Sequence, residues 1–156
     1  MIRGPVRVLI KPVAISAVNI DIRTNDAVER IANGTFVDPA SEWTNDGVGG
    51  WTTEVNDYAV CTPTASLESL YQTLASPLSG GEAIQLSFEV LASGSVTLEI
   101  TMRNNTTPVQ TLFSGALSVG VHTANVYLSG AANRLYMTPT VFSGGGAQIT
   151  NVSLIG

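Results

Sequence analysis

"AIQLSFEVL", residues 83–91, and "SVTLEITMR", residues 95–103, decide the fold class. In the first, Ile84, Leu86, Phe88 and Val90 alternate with Gln85, Ser87 and Glu89; in the second, Val96, Leu98, Ile100 and Met102 alternate with Thr97, Glu99, Thr101 and Arg103. A strict period of two puts all apolar side chains of a strand on one face. Joined by "ASGS" at 92–95, the two segments predict an antiparallel hairpin with one face in a core and the other in water. "VHTANVYL", residues 121–128, repeats the pattern with Ala124, Val126 and Leu128 inward. "RLYMTPTVF", residues 134–142, does so with Leu135, Met137 and Val141 inward, and its Pro139 predicts an edge or bulged strand, because proline donates no ladder hydrogen bond.

"ESLYQTLASP", residues 68–77, spaces Leu70 and Leu74 by four, as a helix would, but it also alternates. Pro63, Pro77 and the Gly80-Gly81 pair leave little room for helical turns, so a strand is expected. The last stretch, "AQITNVSLI" at 147–155, changes parity between Ile149 and Val152, which predicts a bulge near Thr150 and Asn151. Eight to ten strands with no helical crossover predict an all-β protein, an antiparallel two-sheet sandwich. At 156 residues the chain suits one such core, burying roughly 68–70% of its unfolded surface.

Charge divides the chain. Residues 1–30 carry Arg3, Arg7, Lys11, Arg23 and Arg30 against three anions, a balance of +2, whereas residues 31–156 carry two cations and nine anions, a balance of −7. An acidic body repels phosphate, so nucleic acid is not an expected partner. "MIRGPVRVLIKP", residues 1–12, is broken by Pro5, Arg7 and Lys11 and offers no apolar stretch long enough for a signal peptide or a membrane span. The strand-like segments of residues 1–30, interrupted by prolines, predict an extended arm before a sandwich at 31–156. Cys61 is the single cysteine, so no internal disulfide is expected. The four Asn-x-Ser/Thr triplets, at Asn33, Asn104, Asn105 and Asn151, are chance matches in a chain rich in Asn and Thr.

Catalysis has little raw material. His122 and Cys61 stand in strand-like segments without acidic neighbours, and no nucleophile elbow or His-Glu-x-x-His pair is present. Both read as structural residues. Asp38, Glu42, Asp46, Glu54 and Asp57 cluster around two tryptophans, but acids in a loop-rich stretch are commonly solvated turn residues, and a glycosidase would need two of them at a fixed separation. "SGGGA" at 143–147 lies between strands with no helix to hold a phosphate and reads as a turn. The protein is expected to be no enzyme, with no cofactor and no metal.

"NGTFVDPASEWTNDGVGGW", residues 33–51, places Trp43 and Trp51 on either side of a Gly-rich link. The rings either form a sugar-binding platform, with Tyr58, Tyr71 and Gln72 as further contacts, or lie inward and close one end of the sandwich, the commoner arrangement in such folds. "NGTF" followed by a tryptophan, then "SLYQTL", "LSFEV" and the last strand "ITNVSLIG", resembles the jelly-roll carbohydrate-binding modules of the galactose-binding-like superfold over residues 31–156. That resemblance implies a jelly-roll β-sandwich and a glycan ligand. Where such modules often carry an acidic residue that helps hold a structural calcium ion, this chain has Thr150 before Asn151, which speaks against the metal.

The same sandwich is also a building block of tailed-bacteriophage virions. A basic arm, no export signal, no disulfide and no attached enzyme fit a structural virion protein, a head-decoration protein or a tail or fibre component. Such a protein would bind other virion proteins through the arm's strand edges and form an oligomer, with a trimer as the expected form. A carbohydrate-binding module recognising a cell-surface or cell-wall glycan is the alternative.

Overall fold

The computed structural model describes residues 27–37, 42–47, 50–55, 57–62, 68–142 and 146–156. Arg3, Arg7, Lys11, Arg23 and Asp38, the expected arm up to Asp26, and residues 143–145 of the glycine-rich turn lie outside them. Ten strands follow one another: β1 (Thr44–Asp46), β2 (Trp51–Val55), β3 (Tyr58–Cys61), β4 (Ser69–Leu78), β5 (Ala83–Ala92), β6 (Val96–Asn104), β7 (Thr107–Ala116), β8 (Gly120–Tyr127), β9 (Ala132–Phe142) and β10 (Ala147–Ile155). They form two five-stranded antiparallel sheets, ordered β1-β4-β9-β6-β7 and β2-β3-β10-β5-β8. Among the described residues there is no helix. The molecule is a two-sheet sandwich, as the alternation predicts, of the jelly-roll kind that the resemblance implies.

The core lies between the sheets. Ile84, Leu86, Phe88 and Val90 of β5, and Val96, Leu98, Ile100 and Met102 of β6, are all 0–1% exposed. Each such side chain contributes roughly 1.5–3 kcal/mol on burial, so these two inward rows supply much of the driving force. The segments are consecutive in sequence yet pair with different partners: β5 with β8 and β10, β6 with β7 and β9. The "ASGS" link therefore carries the chain from one sheet to the other, and the predicted hairpin is a corner of the sandwich. Alternation cannot tell these apart, because a strand that switches sheets keeps the same inward face.

Two irregularities follow from local chemistry. On β10, Thr150 pairs with Glu89 and Ser153 with Ser87, three steps against two, so β10 carries one extra residue. Asn151 supplies it in the left-handed region (φ 51°), where Asn is among the better tolerated residues. The extra residue returns Val152 and Leu154 to the core, as the parity change predicts. On β9, Pro139 faces Leu98 while Val141 faces Thr97, again one residue too many. Pro139 is thus at a bulge, in a strand central to its sheet, just past the last β4 partner at Leu70–Met137. Val141 is 57% exposed, and not inward as its parity suggested, because the bulge turns it over.

The start of the sandwich is held by its end. Glu29 bridges Ile155, Arg30 N–H donates to Leu154 O at 2.8 Å, and the Arg30 guanidinium donates to Gly156 O at 2.9 and 3.2 Å. Arg30, grouped by charge with the arm, is therefore spent on the sandwich's own last strand. The Glu29 carboxylate accepts from Ile31 N–H and Leu154 N–H, each at 2.9 Å, and from the Ser153 hydroxyl. Gly34 then passes so near β10 that a Cβ there would stand 1.8 Å from Val152 O, while Val152 N–H donates to Gly34 O at 2.9 Å. This close approach is what the glycine of "NGTF" is for.

Candidate functional site

The five residues singled out around the tryptophans go to three places. Trp43 and Trp51, each 5% exposed, lie inward. The Trp43 indole N–H donates to Asn33 O and the Trp51 indole N–H to Glu68 O, both at 3.1 Å, which satisfies the polar handle a buried Trp must satisfy. Phe36 packs on Trp43 with centroids 5.2 Å apart. Gln72 is 2% exposed: its amide oxygen accepts from Ala32 N–H at 2.8 Å and its amide nitrogen donates to Ala32 O at 2.7 Å. It ties β4 to the start of the sandwich and presents nothing to a ligand. Tyr58 stands on the outer face of the β2-β3-β10-β5-β8 sheet, opposite in parity to buried Ala59. Tyr71 alone points out from the other sheet.

Around Tyr71 the sheet assembles a polar face that no single segment announces. Register runs Thr44, Tyr71, Tyr136, Thr101, Thr111 across β1, β4, β9, β6 and β7, and Thr73, Arg134, Arg103 in the next outward row. The Tyr71 and Tyr136 rings stack, centroids 4.7 Å apart and planes 11° from parallel. The Arg103 guanidinium lies 4.2 Å from the Tyr136 centroid and that of Arg134 lies 5.2 Å from the Tyr71 centroid. Each such cation–π contact contributes roughly 0.5–1 kcal/mol, more when desolvated. Arg103 Nε donates to Thr101 Oγ1 at 3.1 Å, and Arg134 Nη1 reaches Tyr136 Oη at 3.5 Å. Both guanidinium groups thus lean over the tyrosine row. A third outward row holds Ser69 and Thr138, whose hydroxyls share a 2.7 Å hydrogen bond, beside Glu99.

Burial is unusual for an outer face. Tyr136, Thr101, Ser69 and Thr138 are all under 9% exposed although their parity is outward. The two arginines are half-buried, and Arg134 Nε is buried with no acceptor among the described residues. An unanswered buried donor costs about 1–3 kcal/mol. The aromatic rings support the arginines, and the arginines supply the donors.

His122 and Cys61 perform structural tasks. The His122 ring is stacked on Phe88 at 5.0 Å, edge-on to Phe113 at 5.5 Å, and bonded to Ser118 O at 2.7 Å. Burial pushes the Cys61 thiol up from 9.0 to about 12, so no thiolate nucleophile is available at neutral pH. Glu42, Asp46 and Asp57 are exposed: Asp46 is on edge strand β1 and Asp57 at the β2–β3 turn. Thr150, standing where the resembled modules often carry an acidic residue, donates to Asp57 O at 2.7 Å. Among the described residues no group of three or more His, Cys, Asp or Glu could hold a metal. A shallow depression of about 290 Å³ lies where Gly34 meets Val152, with the Glu29 carboxylate on its wall already engaged.

No protein-family model and no curated protein matches the sequence. Solved structures do match the fold. The K3 cleaved adhesin domain of Lys-gingipain from Porphyromonas gingivalis superimposes with a TM-score of 0.60 at 12% identity, over 83% of this chain and 98% of that one. A family 29 carbohydrate-binding module, in a variant made to probe ligand recognition, gives 0.54 at 13% identity, over 83% and 91%. This chain has the fold of a carbohydrate-binding module. The fold also occurs within a phage protein: the enzymatically active domain of tailspike protein 4 of bacteriophage CBA120 matches with a TM-score of 0.56 at 20% identity, over 81% of this chain and 21% of that one.

Proposed function

We propose that this protein is a non-enzymatic recognition module that binds a glycan on the outer face of the β1-β4-β9-β6-β7 sheet. The observation that carries the reading is the outward cluster of Tyr71, Tyr136, Arg103 and Arg134. Sugars offer hydroxyl acceptors to such donors, and they are recognised by few, fixed polar groups beside aromatic surface. The carbohydrate-binding modules among the fold neighbours support the reading. A glycan array probed with the full chain and with Tyr71→Ala tests it. Binding that is lost in the variant while its melting temperature falls by only about 2–4 °C is expected; absence of signal on every glycan overturns it.

A second reading rests on the likeness to the phage tailspike domain. In it the module is a structural component of a tailed-phage virion, attached by the basic residues before Glu29 to another virion protein and assembled as a trimer. Because Glu29 and Arg30 belong to the sandwich's own edge, the cut that tests it removes residues 1–26. The shortened protein is expected to fold and to fail to join the particle; incorporation at the full-length level overturns the attachment.

A further inference from the structure

We infer that the glycan carries a sparse negative charge, a carboxylate-bearing sugar within an otherwise neutral chain, seated on Arg103 and Arg134. This deepens the glycan-binding reading and rests on it. From residue 31 onward the chain has nine anions and only two cations, and the fold sets those two directly opposite each other on neighbouring strands, as the register pair Arg103–Arg134. Like charges at opposed positions destabilise a sheet. Dispersed along the sequence, they would each find a carboxylate more cheaply. Instead neither has an ion pair with a described carboxylate: their contacts are Thr101, Tyr136 and Tyr71. Glu99, four residues before Arg103, accepts from Thr111 at 3.3 Å.

Two adjacent guanidinium groups, propped on rings and without a counter-charge among the described residues, fit a bidentate acceptor. A carboxylate there would answer the mutual repulsion of the paired guanidinium groups. A dense polyanion fits poorly: nucleic acid carries a charge every 1.7 Å or so of duplex axis, and the rest of the body, at −7 from residue 31, would repel it.

The test is a glycan array bearing matched pairs, each backbone present with and without a uronate or sialate, with a single-stranded oligonucleotide as a further spot. The full chain is read at low and at high salt. Signal confined to the acidic members, weakened by salt, at least tenfold lower for Arg103→Gln and for Arg134→Gln, and partly kept by Arg134→Lys, is expected. Circular dichroism checks that each variant is folded, and a variant that does not fold is replaced by the lysine form. Equal binding of neutral and acidic members, or arginine variants that bind as well as the parent, overturns the inference while glycan binding itself stands. Signal on the oligonucleotide alone, or on nothing, overturns both.

Discussion

Trp43 and Trp51 on one side, and Tyr71 and Tyr136 on the other, are two aromatic pairs carried by the same sandwich. The indoles are inside, 5% exposed, with their N–H groups given to backbone carbonyls. The phenols stand on an outer face, stacked on each other and roofed by arginine. Ring size does not account for the difference. What does is the inventory of partners: each indole has one donor and meets one backbone carbonyl, whereas the tyrosine row sits among hydroxyls and guanidinium groups whose hydrogen-bonding capacity exceeds what the described residues supply. A saturated cluster stabilises; an unsaturated one is ready for a ligand.

The contrast has measurable consequences. Trp51→Ala should be the most damaging change, costing about 3–5 kcal/mol in chemical denaturation, because a large buried ring leaves a cavity; Trp43→Ala should fall in the same range. An exposed-residue cost below about 1 kcal/mol would contradict the inward placement. Gln72→Ala should cost about 1–3 kcal/mol, since it removes two hydrogen bonds that tie buried Gln72 to exposed Ala32, each worth about 0.5–1.5 kcal/mol net. Replacing Gln72 should leave any glycan binding intact.

Cys61 tests the tightness of the tryptophan end by pH. Its thiol is held at about 12 in the fold against 9.0 when free, so the folded state keeps a proton that the unfolded state loses. Stability from this group is full below pH 9 and falls as pH rises from 9 toward 12, by about 1.4 kcal/mol per unit. Urea titrations between pH 8 and 11 should show that slope flattened in Cys61→Ala relative to the parent, and the native thiol should resist alkylation at pH 8. Rapid modification of the folded protein would mean the end is open. Smallest in stability is Tyr71→Ala, about 1 kcal/mol from the lost ring pair, against a complete loss of glycan signal.

Much of the fold is legible in the residues. The alternation of 83–91 and 95–103, the parity change at Thr150 and Asn151, and the proline irregularity at Pro139 all reappear as inward rows and bulges. Val141 was misplaced by parity because one inserted residue reverses every later side chain. The candidate site was far less legible. Tyr58, Tyr71, Gln72 and the tryptophans are near one another in sequence, and the chain sends them to an outer face on each side and to the core between. Tyr136, Arg103 and Arg134 could be read as outward by parity, yet nothing local says that β9 lies between β4 and β6.

Side-chain period and turn chemistry are local, and they determined by themselves that this protein is an all-β sandwich with a defined inward set. Strand order is not local: it follows from which apolar faces close a single core together. Only that closure put Arg103 opposite Arg134 and Tyr71 beside Tyr136, over sequence separations of 31 and 65 residues. Chemistry assembled across such distances is created by packing, and no stretch of the chain carries it alone.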